Sequence, residues 1–226
     1  MLITELEKQI RILKRKIARS EENRILLEEA LESHIRALSV GIEELMKSHE
    51  TIKASEERFR QLALYDTLTK LPNRILFFER LERSIFRAKR FRHSLAILFI
   101  DLDRFKQIND NFGHQAGDAV LQEASSRIVS SVREVDTVSR LAGDEFSVLL
   151  EMFRSRSEIE MIASRIVSSL ATPMRLHSNV LEIGASIGIS SYPTDGEKPD
   201  ELLRKADIAM YNIKKRTGNA WQFYTD

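Results

Sequence analysis

The sequence predicts an α/β protein of the α+β kind, in which a long N-terminal coiled-coil helix precedes a domain built on a central sheet flanked by helices. Three observations carry this. Residues 1 to about 60 contain no proline and one glycine, Gly41, and are dense in Glu, Lys, Arg, Leu and Ile. Leu95 to Ile100 is an unbroken apolar run, suited to a strand buried on both faces, and it closes on Asp101-Leu102-Asp103. Thr137 to Leu150 holds two shorter strand-like runs joined at Ala142-Gly143-Asp144-Glu145, which reads as a β-hairpin with an acidic tip.

Composition narrows the class. A chain of 226 residues that is 42% hydrophobic can hold one ordinary globular domain plus an extension. A formal net charge of +1 gives no basis for a nucleic-acid partner. Zero cysteines exclude a disulfide framework or a thiolate metal site and fit a reducing cytoplasm. No apolar run approaches the ~20 residues of a membrane span, and charge begins at Glu5, so neither anchor nor signal peptide is expected.

In the N-terminal segment Ile3, Leu6, Ile10, Leu13 and Ile17 alternate spacings of three and four, the seam of a coiled coil. Leu27, Leu31 and Ile35 come next at four and four, after which Leu38, Ile42 and Leu45 resume the heptad in a shifted frame. That shift is a stutter, which locally unwinds a supercoil. A helix of roughly 90 Å at ~1.5 Å per residue has no core of its own and needs a partner helix, here expected to be a second copy in a parallel dimer. Polar residues at seam positions (Ser20, Arg24, His49) make the lower half the weaker half. His34 and His49 read as ordinary helix residues.

The helix is expected to give way near Ala63, dividing the chain into residues 1–62 and 63–226. Pro72 disfavours helix at Leu71, and Asn73 is an N-cap candidate for a helix from Arg74 to about Arg90. Apolar spacing from Ala116 to Val132 predicts an amphipathic helix, with Gly113 and Gly117 read as glycines of a tight preceding loop. Ser157 to Ala171 reads as a helix stopped before Pro173, and Val180 to Tyr192 as a strand pair or one long strand. Pro199 to Arg216 reads as a last helix burying Leu202, Leu203, Ala206, Ala209, Met210 and Ile213, with a final strand at Trp221 to Tyr224.

If the first strand lies beside the hairpin, Asp101, Asp103, Asp144 and Glu145 converge. Single acids at strand ends are commonly just solvated. Four in this arrangement suit a site that holds magnesium through one or two carboxylates together with phosphate oxygens.

IDLDRFKQINDNFGHQAGDAVL (Ile100 to Leu121) followed by RLAGDEF (Arg140 to Phe146) resembles the GGDEF family of diguanylate cyclases. DTLTKLPNR at Asp66 to Arg74 and ADIAMYNIKK at Ala206 to Lys215 extend the likeness over about the last 160 residues. The resemblance implies a nucleotidyl-cyclase or palm-like domain with a mostly antiparallel sheet. It implies that two GTP molecules on two facing domains condense to cyclic di-GMP and two pyrophosphates, with Mg2+ or Mn2+ as cofactor, across a homodimer held by the coiled coil. A catalytically weak or inactive module that binds GTP or cyclic di-GMP and signals through its stalk is the alternative.

Residue by residue, the resemblance makes Asp101, the carbonyl of Leu102 and Asp144 metal ligands. Asp144 and Glu145 become catalytic, without deciding which takes the proton, and Lys106 is a catalytic cation near the triphosphate. Asn109 and Asp118 match guanine readers, Asp118 favouring GTP over ATP, and His114 sits with them as either a substrate contact or a residue packing the turn. Lys214 matches a phosphate lysine. Four residues later, where the family has an arginine, stands Gly218. Ala142 replaces the first glycine of the family signature, where its methyl could crowd the nucleotide. Arg133 and Asp136 match an inhibitory product site of RxxD form. Leu-Pro-Asn-Arg before the first helix is similar to chains that continue into a phosphodiesterase domain.

Overall fold

The computed structural model describes residues 2–176, 179–216 and 218–225, with the side chains of Ile3, Thr4, Leu176 and Asn179 outside that description. The first seam position named above, Ile3, therefore falls outside it. Two compact units divide between Phe59 and Arg60.

The described residues of the first unit belong to helix α1 (Leu2–Leu64). The seam residues from Leu6 to Leu45 are 47–76% exposed, so this segment buries no core within the chain. Its internal support is local. Pairs such as Arg24–Glu28 and Glu32–Arg36 are exposed i,i+4 ion pairs worth a few tenths of a kcal/mol each. His34 bonds back onto its own helix, its Nδ1 lying 2.8 Å from the carbonyl of Ala30. Among the described residues, no helix is long and apolar enough to cross a membrane.

The second unit begins with the last turn of α1 and continues as α2 (Arg74–Phe91), β1 (Leu95–Asp103), α3 (Phe105–Phe112), α4 (His114–Ser130), β2 (Thr137–Ala142) and β3 (Glu145–Glu151). It ends with α5 (Arg156–Ala171), β4 (Met174–Leu176), β5 (Asn179–Leu181), β6 (Gly184–Tyr192), α6 (Pro199–Arg216) and β7 (Ala220–Phe223). The main sheet has the order β2-β3-β1-β6-β7, antiparallel except for β6–β7. The stretch expected to be one strand or a strand pair divides differently: β5 pairs with β4 in a separate two-stranded ribbon, and only β6 joins the sheet. The pattern of Leu-Glu-Ile-Gly runs continuously across that divide, which is why periodicity alone does not find it.

Strand β1 is central and covered on both sides, as its apolar run requires. Ala96, Leu98, Ile100 and Leu102 point into a cluster with residues of α4 and α5, while Leu95, Ile97 and Phe99 point into a second cluster with α2 and α6. The two-residue side-chain period then sets the direction of the acid at the strand end: Asp101 continues the face that carries α6. On this face the neighbouring strands present small residues, Ser147, Gly188 and Ser190, against Phe99 and Ile97. The consequence is a close approach by α6. A Cβ on Gly188 would lie 1.9 Å from the Ala206 carbonyl oxygen and 2.2 Å from the Met210 amide nitrogen. Gly188→Ala therefore forces α6 off the sheet, and its unfolding free energy should fall by about 3 kcal/mol or more, read from denaturant titration.

The turn between α1 and α2 is tied by one side chain. Asn73 donates its amide to the Ala63 carbonyl (2.7 Å) and accepts from the amides of Ile75 (3.0 Å) and Leu76 (3.2 Å). It thus closes the C-terminal end of one helix while capping the N-terminus of the next, the role its position before Arg74 predicts.

Candidate active site

The centre of the site is set by strand register. Asp101 on β1 stands opposite Glu145 on β3, and the Leu102 amide donates to the Asp144 carbonyl at 3.3 Å. The hairpin tip turns on Gly143, at φ +49, leaving Asp144 and Glu145 half-buried beside the strand end. Ala142 is not the left-handed residue of this turn; it remains in β2, exposed and in register with Glu145. The concern raised by its methyl group is therefore not a conformational one.

Lys214 reaches across from α6, its Nζ 2.5 Å from Asp101 Oδ1. Burial alone would lower its ammonium pKa, but the hydrogen bond and charge of Asp101, with Asp144 and Asp103, carry it above the ordinary value. Burial is also the largest influence on Asp101, raising its carboxyl, and the charges of Asp144 and Asp103 add to it against the opposing pull of Lys214. Glu145 is raised first by burial and then by Asp101, Asp144 and Asp207, with Arg74 opposing. The cluster holds more negative charge than its lysine neutralises.

Asp103 adds its charge to that centre at Asp101 and Lys214, but its oxygens are committed elsewhere. Its carboxylate accepts from Ser186 Oγ (2.7 Å) and the Asn219 amide (2.6 Å), which ties the turn between α6 and β7 to the strand end. The four acids lie at one end of the strand and hairpin with Asp103 at the edge, and they are joined by Asp207, which the sequence alone did not single out. Asp207 precedes Lys214 by seven residues on α6, and that spacing is the signal that places both on one helix face. Arg74, expected only as the start of a helix, is the cation that opposes the acids at Glu145.

The α3–α4 corner carries the other expected residues. Lys106 is exposed in the first turn of α3, and His114 and Asp118 are exposed one turn apart on α4. The segment read as a loop is helical, and only Gly113, at φ +82, needs its glycine for backbone conformation. Gly117 is buried inside α4 for a different reason: a Cβ there would lie 2.0 Å from Asn109 Oδ1. Gly117 thus lets α3 lay the Asn109 side chain against α4.

Arg133 and Asp136 sit at the opposite end of β2 from the hairpin tip. Asp136 accepts from the amides of Arg133 (3.0 Å) and Glu151 (3.4 Å), and the Arg133 guanidinium pairs with Glu158. Both therefore have structural partners in this chain. Arg140 on β2 connects two further segments, donating to Asp66 Oδ1 and the Gly143 carbonyl, each at 2.9 Å. Burial opposes ionisation of Asp66, but hydrogen bonds from Thr69 and Arg140 outweigh it and hold the carboxyl below its ordinary range.

A mostly antiparallel sheet whose central strand and adjoining hairpin present carboxylates to one helix-borne lysine defines an α+β domain of the cyclase type. The family model described as Diguanylate cyclase, GGDEF domain matches residues 63–220, and the chain belongs to that family. Over 164 residues it is 44% identical to the bifunctional diguanylate cyclase/cyclic di-GMP phosphodiesterase MucR of Pseudomonas aeruginosa, covering 73% of this chain and 24% of MucR. It is 46% identical over 155 residues to diguanylate cyclase TpbB of the same species, covering 68% of this chain and 36% of TpbB. The solved GGDEF domain of TpbB superposes with a TM-score of 0.70 at 43% identity, over 71% of this chain and 94% of that one. The coiled coil and GGDEF domain of DgcB from Caulobacter crescentus, in complex with c-di-GMP, shares the fold at a TM-score of 0.75 and 24% identity, over 82% and 98% of the two chains. The chain thus spans about a quarter to a third of the length of the curated relatives it matches.

Proposed function

We propose that residues 63–226 form a diguanylate cyclase domain that condenses two GTP molecules into cyclic di-GMP and two pyrophosphates, and that residues 1–62 pair two copies through the coiled coil. The observation that carries this reading is the junction of β1 with the β2–β3 hairpin, where Asp101 faces Glu145 and Asp144 is hydrogen-bonded through its carbonyl to Leu102. Zero cysteines support a cytoplasmic setting.

The donor set fits a hard divalent cation. Its groups are carboxylate and carbonyl oxygens, and their charge exceeds that of Lys214. Among the described residues, no three acidic or histidine side chains form a complete cage, so nucleotide oxygens would complete the coordination, as magnesium usually requires. Asp101, the Leu102 carbonyl and Asp144 would hold it. A bound magnesium or manganese ion supplies polarisation of the α-phosphate and a lower pKa for the attacking hydroxyl.

In each of two reciprocal attacks the 3′-oxygen of one GTP bonds to the α-phosphorus of the other, the bond from that phosphorus to the α–β bridging oxygen breaks, and pyrophosphate leaves with the electron pair, so that two phosphodiester bonds close the ring and two pyrophosphates depart. The hydroxyl proton passes to Asp144 or Glu145. Lys106 and Lys214 offset charge on the phosphates, and Asn109, His114 and Asp118 hold guanine. Arg133 and Asp136 would bind product and inhibit, provided the guanidinium exchanges Glu158 for phosphate.

Incubating the full chain with GTP and magnesium and separating the products by chromatography should give cyclic di-GMP and pyrophosphate. Absence of both, with GTP still bound, favours instead an inactive nucleotide-binding module. Gly218, which offers no cationic side chain where the family has one, is the observation on that side. A separate expectation concerns guanine. Gly117→Ala displaces Asn109 and should raise KM for GTP at least about tenfold while leaving thermal unfolding within a few degrees.

A further inference from the structure

A cavity of about 460 Å³ opens beside Lys214, and its lining includes Asp103, Arg104, Glu182, Gly218 and Asn219. The two cations on this wall differ in commitment. Lys214 is already paired with Asp101 at 2.5 Å. Arg104 is exposed, and its guanidinium forms no ion pair or hydrogen bond among the described residues. It occupies a left-handed turn, φ +61 and ψ +20, between the end of β1 and the first residue of α3, and it gives that helix no side-chain cap.

The position lets two anion-attracting features share one place. Arg104 lines the cavity itself, and as the residue at the N-cap position of α3 it stands immediately before that helix's leading amides. The acids opposite are unequally available. Asp103 spends both oxygens on Ser186 and Asn219, whereas Glu182 forms no ion pair among the described residues. Gly218 cannot readily be the source of a cation. Its φ is +61, and a Cβ there would sit 3.0 Å from Asp103 Oδ2.

Resting on the reading of this site as a GTP site, we infer that Arg104 is a substrate-binding residue that engages the terminal phosphates of GTP and replaces the cation missing at position 218. A guanidinium can grip phosphate oxygens in pairs, which the point charge of Lys214 cannot. Arg104 therefore discriminates a nucleoside triphosphate from a monophosphate, while guanine recognition stays with the α3–α4 corner.

The test uses the full chain with magnesium, titrated by calorimetry with 3′-deoxyguanosine triphosphate, which cannot condense, and with GMP. Arg104→Ala should weaken the triphosphate by roughly ten- to a hundredfold and leave GMP within about twofold, and Arg104→Lys should fall between. In turnover, KM for GTP should rise far more than kcat falls. Unchanged triphosphate affinity in Arg104→Ala, or equal loss for both probes, overturns the inference while leaving the GTP site itself standing. A wild-type chain that binds neither probe overturns the GTP reading and the inference with it.

Discussion

Replacing Asp144 with alanine should lower cyclic di-GMP formation by at least about 10³-fold and leave the fold in place. The loss comes from removing one of two carboxylates proposed to share the ion. The fold is retained because of how little the side chain does for it. It is the Asp144 carbonyl that bonds to Leu102, and alanine keeps that carbonyl. The carboxylate itself raises the pKa of Asp101 and of Glu145 by like-charge repulsion. Removing it relieves that repulsion, so the melting temperature of the protein without ligand should stay the same or rise. A variant that loses activity and also unfolds at a markedly lower temperature would point to a structural role, and one that keeps substantial turnover would remove Asp144 from the metal site.

Deleting the residues before Ser55 should make specific activity depend steeply on protein concentration. In the proposed reaction each domain holds one GTP, so two domains must face each other. A coiled coil converts that encounter into an intramolecular one, with effective concentrations on the order of millimolar. The seam from Leu6 to Leu45 is 47–76% exposed and packs against no core among the described residues, so its apolar surface is available to a second copy. At micromolar protein the shortened chain should lose most of its rate, and specific activity should rise nearly in proportion as protein is added. Specific activity that is independent of concentration in the shortened chain would assign dimerisation to another surface.

The features legible in the sequence are those set by local period. The apolar run of β1, the acidic tip between β2 and β3 and the buried face of α6 each announce themselves within a few residues of chain. The strand-and-hairpin pairing of Asp101 with Glu145 needed one further assumption, that the strands are neighbours, and the sheet order supplies it. What stayed hidden depends on contacts between distant segments. Asp103 looks identical to Asp101 in sequence, but Ser186 and Asn219, over eighty and over a hundred residues away, take up its oxygens. Gly117 resembles a loop glycine until Asn109 is seen against it, and α3 is too short at eight residues for its pattern to separate from a loop. Arg140 could not be linked to Asp66 without the fold that brings their segments together.

In the proposed site one cation is held jointly by the end of β1 and the bend of the hairpin beside it. Manganese titrated into the full chain with 3′-deoxyguanosine triphosphate, with free ion read by electron paramagnetic resonance, tests it most directly. Asp101→Asn and Asp144→Asn should each weaken manganese binding at least about tenfold. Wild-type manganese affinity in either variant would contradict it.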